Sequence, residues 1–193
     1  VLAIWVGGVM LVAILKPHAR LEGLVDPKPH QLFFGRYFLF FVMSQIQAAV
    51  IVAGDLLVLK IQCVEPALLF ATGAITSLVF SLLIYALTVS FGDVGKAVVV
   101  VVMVLQIAGS SGTFPIELLP DVYQKIYHIF PFPYAIDAVR ECVCGLYGTT
   151  WLKNIGCLLI FGAAALVIGL LVRKPFMGLN HFMEEKLKET EML

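Results

Sequence analysis

Apolar side chains in this chain fall into long runs separated by short polar stretches. The first run, from Val1 to Leu15, ends at Lys16. The stretch from Lys16 to Arg36 is polar, and Pro17, Pro27 and Pro29 argue against one continuous helix through it. A second apolar helix is expected over roughly 37–59. After a link carrying Lys60, Glu65 and Pro66, a third is expected over roughly 67–91. A tight turn at Gly92-Asp93-Val94-Gly95 leads to Lys96 and a valine-rich run ending near Gly109. A last helix is expected over about 151–172, followed by Arg173, Lys174 and a polar tail.

Length decides what these runs can do. A spanning helix needs about 20 apolar residues, so the first run reads as a helix cut partway, the C-terminal part of a longer protein. The run from Lys96 to Gly109 makes about 21 Å of helix against a hydrocarbon core of about 30 Å, so it is expected to stop short of the far surface. The next segment, Ser110 to Gly148, carries Gly112, Pro115, Pro120, Pro131 and Pro133 among apolar residues. Broken backbone at membrane depth is tolerated only inside protein or along a cavity. The segment is therefore read as a re-entrant or interfacial pair of short helices, about 121–129 and 134–147. The fold class expected is all-α, a polytopic membrane helix bundle of about five transmembrane helices plus that pair. Residues 1–175 form the transmembrane domain. Residues 176–193 form an amphipathic tail, with Leu179, Phe182, Met183 and Leu187 opposite Glu184, Glu185, Lys188 and Glu189.

Composition agrees: 61% of residues are hydrophobic and 13% charged, against about 25% charged in soluble domains. Lys and Arg number 13, as do Asp and Glu, so a basic nucleic-acid binder is excluded. The basic residues also set an orientation. Nine of them (Lys16, Arg20, Lys28, Arg36, Lys96, Arg173, Lys174, Lys186, Lys188) fall on one side of a five-span arrangement. Four (Lys60, Lys125, Arg140, Lys153) fall on the other. The nine-residue side is expected to be cytoplasmic, with the tail inside and the start of the chain outside.

Nothing in the sequence argues for catalysis or for a cofactor. Cys63, Cys142, Cys144 and Cys157 form no CxxC pair and have no histidine at zinc spacing, so they read as small apolar residues. No phosphate-cradling loop or nucleophile motif is present. Polar residues inside spans say more, because each is costly in hydrocarbon. Ser44, Gln45 and Gln47 lie in the second helix, with Asp55 near its outer end. Thr72, Thr76, Ser77 and Ser81 stripe the third, and Gln106 interrupts the valine run. Such residues commonly bond helices together; the functional alternative is a translocation path through Gln45, Thr76 and Gln106. Ala49 with Ala53, and Ala165 with Gly169, are spaced for close helix packing within the bundle or across a dimer. Asp137, Arg140 and Glu141 share one helical face. With Glu117 they are candidates for an outer gate or docking contact, the plain alternative being a local ion pair.

Three stretches carry a resemblance. They are Phe91-Gly-Asp-Val-Gly-Lys96, then Leu105-Gln-Ile-Ala-Gly-Ser-Ser-Gly-Thr-Phe-Pro-Ile-Glu-Leu-Leu-Pro120, and Pro131-Phe-Pro-Tyr-Ala-Ile-Asp-Ala-Val-Arg-Glu141 with Gly145-Leu-Tyr-Gly148. Together they resemble the C-terminal membrane region of the YhgE/Pip (phage infection protein) family, within the ABC-2 type permease superfamily. The similarity covers the whole chain, is strongest over about 91–150, and extends to the opening Leu2-Ala-Ile-Trp-Val-Gly-Gly. It departs at Ser111, where many relatives carry Gly, and at Pro133-Tyr134, where they often have Pro-Thr-Tyr. The resemblance implies one N-terminal helix and a large extracellular region upstream of these five helices, and re-entrant helices after the fifth span. It also implies a homodimer working with a cytoplasmic ATPase to export lipids, polysaccharides or drugs. Members are known as phage receptors, and relatives assist type VII secretion, so a non-transporting membrane anchor is the rival reading. An ATPase would have to be a separate partner, and Arg20 and Lys28 in the 16–36 loop are the candidate docking residues.

Overall fold

A computed structural model of the chain describes residues 1–15, 29–109 and 121–172. Arg20, Lys28, Glu117 and the amphipathic tail lie outside the described residues. Every element among the described residues is helical: α1 (Leu2–Ile14), α2 (Pro29–Leu57), α3 (Pro66–Gly109), α4 (Asp121–Ile126) with a 3-10 turn at Tyr127–Ile129, α5 (Phe132–Cys144), and α6 (Thr150–Val167) continued as a π turn over Ile168–Val172.

α2 begins eight residues before the expected start near 37. Pro29 does not break it but opens it, since proline is tolerated in the first turn, where no intrahelical N–H bond is required. α5 begins at Phe132 rather than 134 and ends at Cys144 rather than 147, with Pro133 in its first turn and Gly145 as its C-cap at φ 108°.

α3 is two helices joined at a kink. Gly92 sits at φ 59°, ψ −131°, a conformation that favours glycine, and divides a first arm (66–91) from a second (93–109). The second arm folds back: a Cβ on Gly95 would collide with the Leu87 carbonyl oxygen, and would stand 2.8 Å from the Leu87 carbonyl carbon and 3.1 Å from the Thr88 Cα. Phe132 confirms the reversal. Its ring stacks on Phe80 of the first arm at 5.2 Å between centroids, while its N–H donates to Gln106 Oε1 of the second at 3.2 Å. In a straight helix Phe80 and Gln106 would stand roughly 39 Å apart. The expected four-residue turn is thus a break at Gly92, after which helix resumes. Among the described residues, three helices are long and apolar enough to cross a membrane, Phe33–Leu57, Pro66–Ile107 and Thr150–Leu170. The middle one supplies both arms of the hairpin, and the shorter apolar α1 packs beside them.

The first arm is the axis of the bundle, with α1, α2, α5 and α6 arranged around it. Its Val79, Phe80, Ile84, Tyr85 and Ala86 are fully enclosed. Gly7 and Gly8 let α1 approach closely: a Cβ on Gly7 would run into the Gln47 carboxamide of α2, and one on Gly8 would lie 2.8 Å from Ile84 Cδ1. The Ala165–Gly169 spacing serves the interior. Ala165 is fully buried, and a Cβ on Gly169 would meet the Phe33 ring at 2.5 Å and Ala86 at 3.3 Å. Ala49, by contrast, faces outward. Long apolar side chains such as Phe38, Ile46, Val50, Val101 and Ile160 are exposed on the bundle's outside, as a surface immersed in lipid requires.

α5 is a half-spanning helix. Its start lies beside Phe80, which is roughly 21 Å along the first arm from Pro66. Its end lies beside the start of that arm, where Cys142 O accepts from Glu65 N at 3.1 Å and Val143 O from Val64 N at 3.3 Å. Thirteen residues of α-helix cover about 20 Å, which matches the distance between those two levels.

Candidate functional site

The start of α5 meets α1 and both arms of α3 at one place, deep in the bundle. Trp5 packs edge-on against Phe80 (4.9 Å) and Phe132 (5.3 Å), and all three rings are buried. Aromatic rings in this offset and edge arrangement gain about 0.5–1.5 kcal/mol per pair beyond their area burial. Gln106, buried to 1% exposure, reaches the same place and accepts the N–H of Phe132, the first helical residue of α5. That N–H has no intrahelical acceptor, so Gln106 acts as the helix's N-terminal cap from a different element.

Around this cluster, three polar atoms are buried without a hydrogen-bond partner: Trp5 Nε1, Gln106 Nε2 and Thr76 Oγ1, the last one turn from Phe80. A fourth, Asn154 Nδ2, is on α6. Leaving such a group unpaired costs about 1–3 kcal/mol. The three therefore mark the least self-satisfied part of an otherwise well-bonded interior.

Most of the remaining polar stripe joins helices. Gln45 Nε2 donates to Ala74 O at 3.1 Å, and Ser77 Oγ donates to Ser44 O at 2.8 Å. Tyr37 Oη donates to Leu78 O at 3.2 Å and lies 3.3 Å from Ser81 Oγ; Tyr85 Oη donates to Phe33 O. Thr72 accepts from Trp151 Nε1 at 2.9 Å, tying α6 to α3. Of the three residues expected along a path, Thr76 and Gln106 thus belong to the inner cluster, whereas Gln45 is held in the α2–α3 seam. Gln47 lines a groove of about 650 Å³ on the outer face of α1 and α2, with Leu2, Val6, Met10, Met43 and Ile46 among its walls.

On the exposed face of α5, Asp137 and Arg140 form an ion pair at 3.1 Å. Glu141 lies on the same face but turns away to accept the Tyr147 N–H at 2.6 Å, closing the turn after α5. Both arrangements are local. Lys96 likewise pairs with Asp93 at 2.8 Å beside the hairpin turn.

Trp5, Phe80, Phe132 and Trp151 were not singled out by sequence reasoning. One signal was available: a tryptophan within an apolar run, followed at once by Gly7-Gly8, fits a close helix contact better than a membrane interface. The inner site has no ionisable side chain, and the described residues contain no group of three His, Cys, Asp or Glu able to hold a metal. What it offers is hydrogen bonding within an aromatic wall, suited to passing or holding a polar group.

Known proteins agree with this architecture. Residues 4–171 match the model of the ABC-2 family transporter proteins. The chain is 30% identical over 151 residues to the uncharacterized protein YhgE of Bacillus subtilis (strain 168), an overlap of 78% of this chain and 19% of that protein. It therefore spans about a fifth of that relative's length. No solved structure matches. With a family match over nearly its whole length and a helical hairpin bundle carrying a half-spanning helix, this chain belongs to the ABC-2 family transporter proteins and is a YhgE-like membrane domain.

Proposed function

We propose that this domain is the permease part of a dimeric exporter, moving a hydrophobic or amphiphilic substrate outward with energy from a separate cytoplasmic ATPase. The observation that carries the proposal is the inner cluster. A bundle built only to anchor has no use for three unpaired buried polar atoms beside a half-spanning helix, whereas a permease needs an element that shifts and polar groups that change partners. In this reading Trp5, Phe80 and Phe132 form the closed barrier, and Gln106 and Thr76 hydrogen-bond the polar part of the substrate as it passes. The hairpin turn at Gly92 and the C-terminal end are cytoplasmic in the same reading, and the 58–65 and 145–149 links external, which the distribution of basic residues supports. Arg20 and Lys28 are the proposed ATPase-docking residues.

One observation favours the rival reading of a non-transporting anchor for an extracellular receptor or secretion scaffold. Gln45, Thr72, Ser77 and Ser81 are consumed in bonds between helices, as in a dry, tightly packed bundle. Purification of the full-length protein from native membranes separates the two. The permease reading expects an ATPase to copurify, and expects Arg20→Glu or Lys28→Glu to release it. Recovery of secretion-apparatus proteins and no ATPase would establish the anchor instead.

A further inference from the structure

Cys63 and Cys142 meet where the α2–α3 link crosses the end of α5. Cys63 is half-buried on the link, and its thiol donates to the Cys142 carbonyl oxygen at 3.2 Å. The two segments run side by side at hydrogen-bonding distance, through Val64 N to Val143 O and Glu65 N to Cys142 O. The Cys142 Cα lies about 2.4 Å from its own carbonyl oxygen, so the Cys63 sulfur stands within about 5.6 Å of that Cα, and side-chain rotation is what would bring the two sulfurs together. Cys142 itself is fully buried, 3.3 Å from Thr72 Oγ1. Thr72 spends its one hydroxyl proton on Leu68 O at 2.8 Å and already accepts from Trp151, so in that contact the Cys142 thiol is the donor and Thr72 loses nothing essential if it leaves. Cys144 is exposed, and two residues along a helix turn it to nearly the opposite face from Cys142.

We propose that Cys63 and Cys142 form a reversible disulfide, a redox staple between the α2–α3 link and the half-spanning helix. Cys63, the accessible thiol, loses its proton and attacks a disulfide oxidant RSSR, giving a Cys63–S–S–R mixed disulfide and one RS⁻. Cys142 then loses its proton and attacks the Cys63 sulfur, expelling the second RS⁻. Two thiols are oxidised by two electrons, and one external disulfide is reduced to two thiols. The product ties the outer end of α5 to the start of the hairpin's first arm, so a helix that must shift during transport would be held in place. The chemistry stands on the thiol geometry, whether or not the domain transports.

The test uses the full-length protein in detergent micelles, with oxidised glutathione as the oxidant. Oxidation should lower the number of thiols that maleimide labels after denaturation by two per chain, dithiothreitol should restore both, and peptide mass spectrometry should find residues 63 and 142 linked. C63S and C142S should each abolish the paired loss, while C144S and C157S should keep it. No loss of thiols, a loss that persists in C142S, or a linkage to Cys144 in the unsubstituted protein would overturn the proposal; the linkage map needs no variant to fold.

Discussion

Replacing Gly95 with alanine puts a methyl group where the hairpin has no room. The new Cβ would sit 2.8 Å from the Leu87 carbonyl carbon and 3.1 Å from the Thr88 Cα, both backbone atoms of the opposite arm. Carbon atoms prefer about 3.5–4.0 Å, so the arms must part by about 0.7 Å at the first contact. A gap of 0.5–1 Å forfeits a quarter to a half of each dispersion contact across the seam, where Val99 and Gln106 of the second arm are enclosed. Overpacking of this kind costs about 1–3 kcal/mol, or roughly 5–150-fold in the folding equilibrium. Gly7→Ala is the control. The three atoms nearest its Cβ all belong to the Gln47 carboxamide, the end of a flexible side chain beside an open groove. The 0.5–1 kcal/mol that alanine adds to a helix interior offsets most of the adjustment, so the net change should be under about 1 kcal/mol. Unfolding in mixed detergent micelles, followed by the fluorescence of Trp5 and Trp151, gives both values. Equal stability of Gly95→Ala and the unsubstituted protein, or an equal loss in Gly7→Ala, would refute the hairpin geometry.

Three other outcomes are expected. Phe132→Ala removes the ring that touches both Trp5 and Phe80 and should cost about 3–5 kcal/mol in the same unfolding assay. Gln106→Leu deprives the Phe132 N–H of its acceptor and should cost about 1–3 kcal/mol, visible also as faster amide hydrogen exchange at the start of α5. Asp93→Asn breaks an exposed ion pair with Lys96 and should change stability by less than about 1 kcal/mol, with the difference vanishing at high salt.

The spans were legible because each is a run of apolar residues of sufficient length, and hydropathy needs no tertiary information. The reversal in α3 was legible for a related reason: Gly92 and Gly95 bracket Asp93 between two greasy stretches too long for one crossing. The half-spanning helix followed from the shortness of the valine run and the prolines after it. The start of α2 was misplaced because proline reads as a breaker until its position in the first turn is known. The inner site was half legible. Gln106 and Thr76 stood out as polar residues among apolar neighbours, and Gln106 Nε2 and Thr76 Oγ1 are each buried without a hydrogen-bond partner. Gln45 stood out for the same reason, yet its amide is spent on Ala74 O, a distinction that depends on which helix lies opposite. Phe80 and Phe132 are apolar residues in apolar runs, and nothing local distinguishes them from lipid-facing ones; Trp5 alone of the three carried a local signal, the Gly7-Gly8 pair after it. The Cys63–Cys142 proximity is likewise tertiary, joining residues 79 apart in sequence.

Sidedness of three exposed positions tests the membrane hairpin most directly. In a protein stripped of its native cysteines, Leu59→Cys, Tyr147→Cys and Val94→Cys are treated in intact cells with a membrane-impermeant maleimide. The account predicts labelling at positions 59 and 147 and none at 94 until the membrane is permeabilised. Labelling of position 94 together with 59 and 147 in intact cells would contradict it.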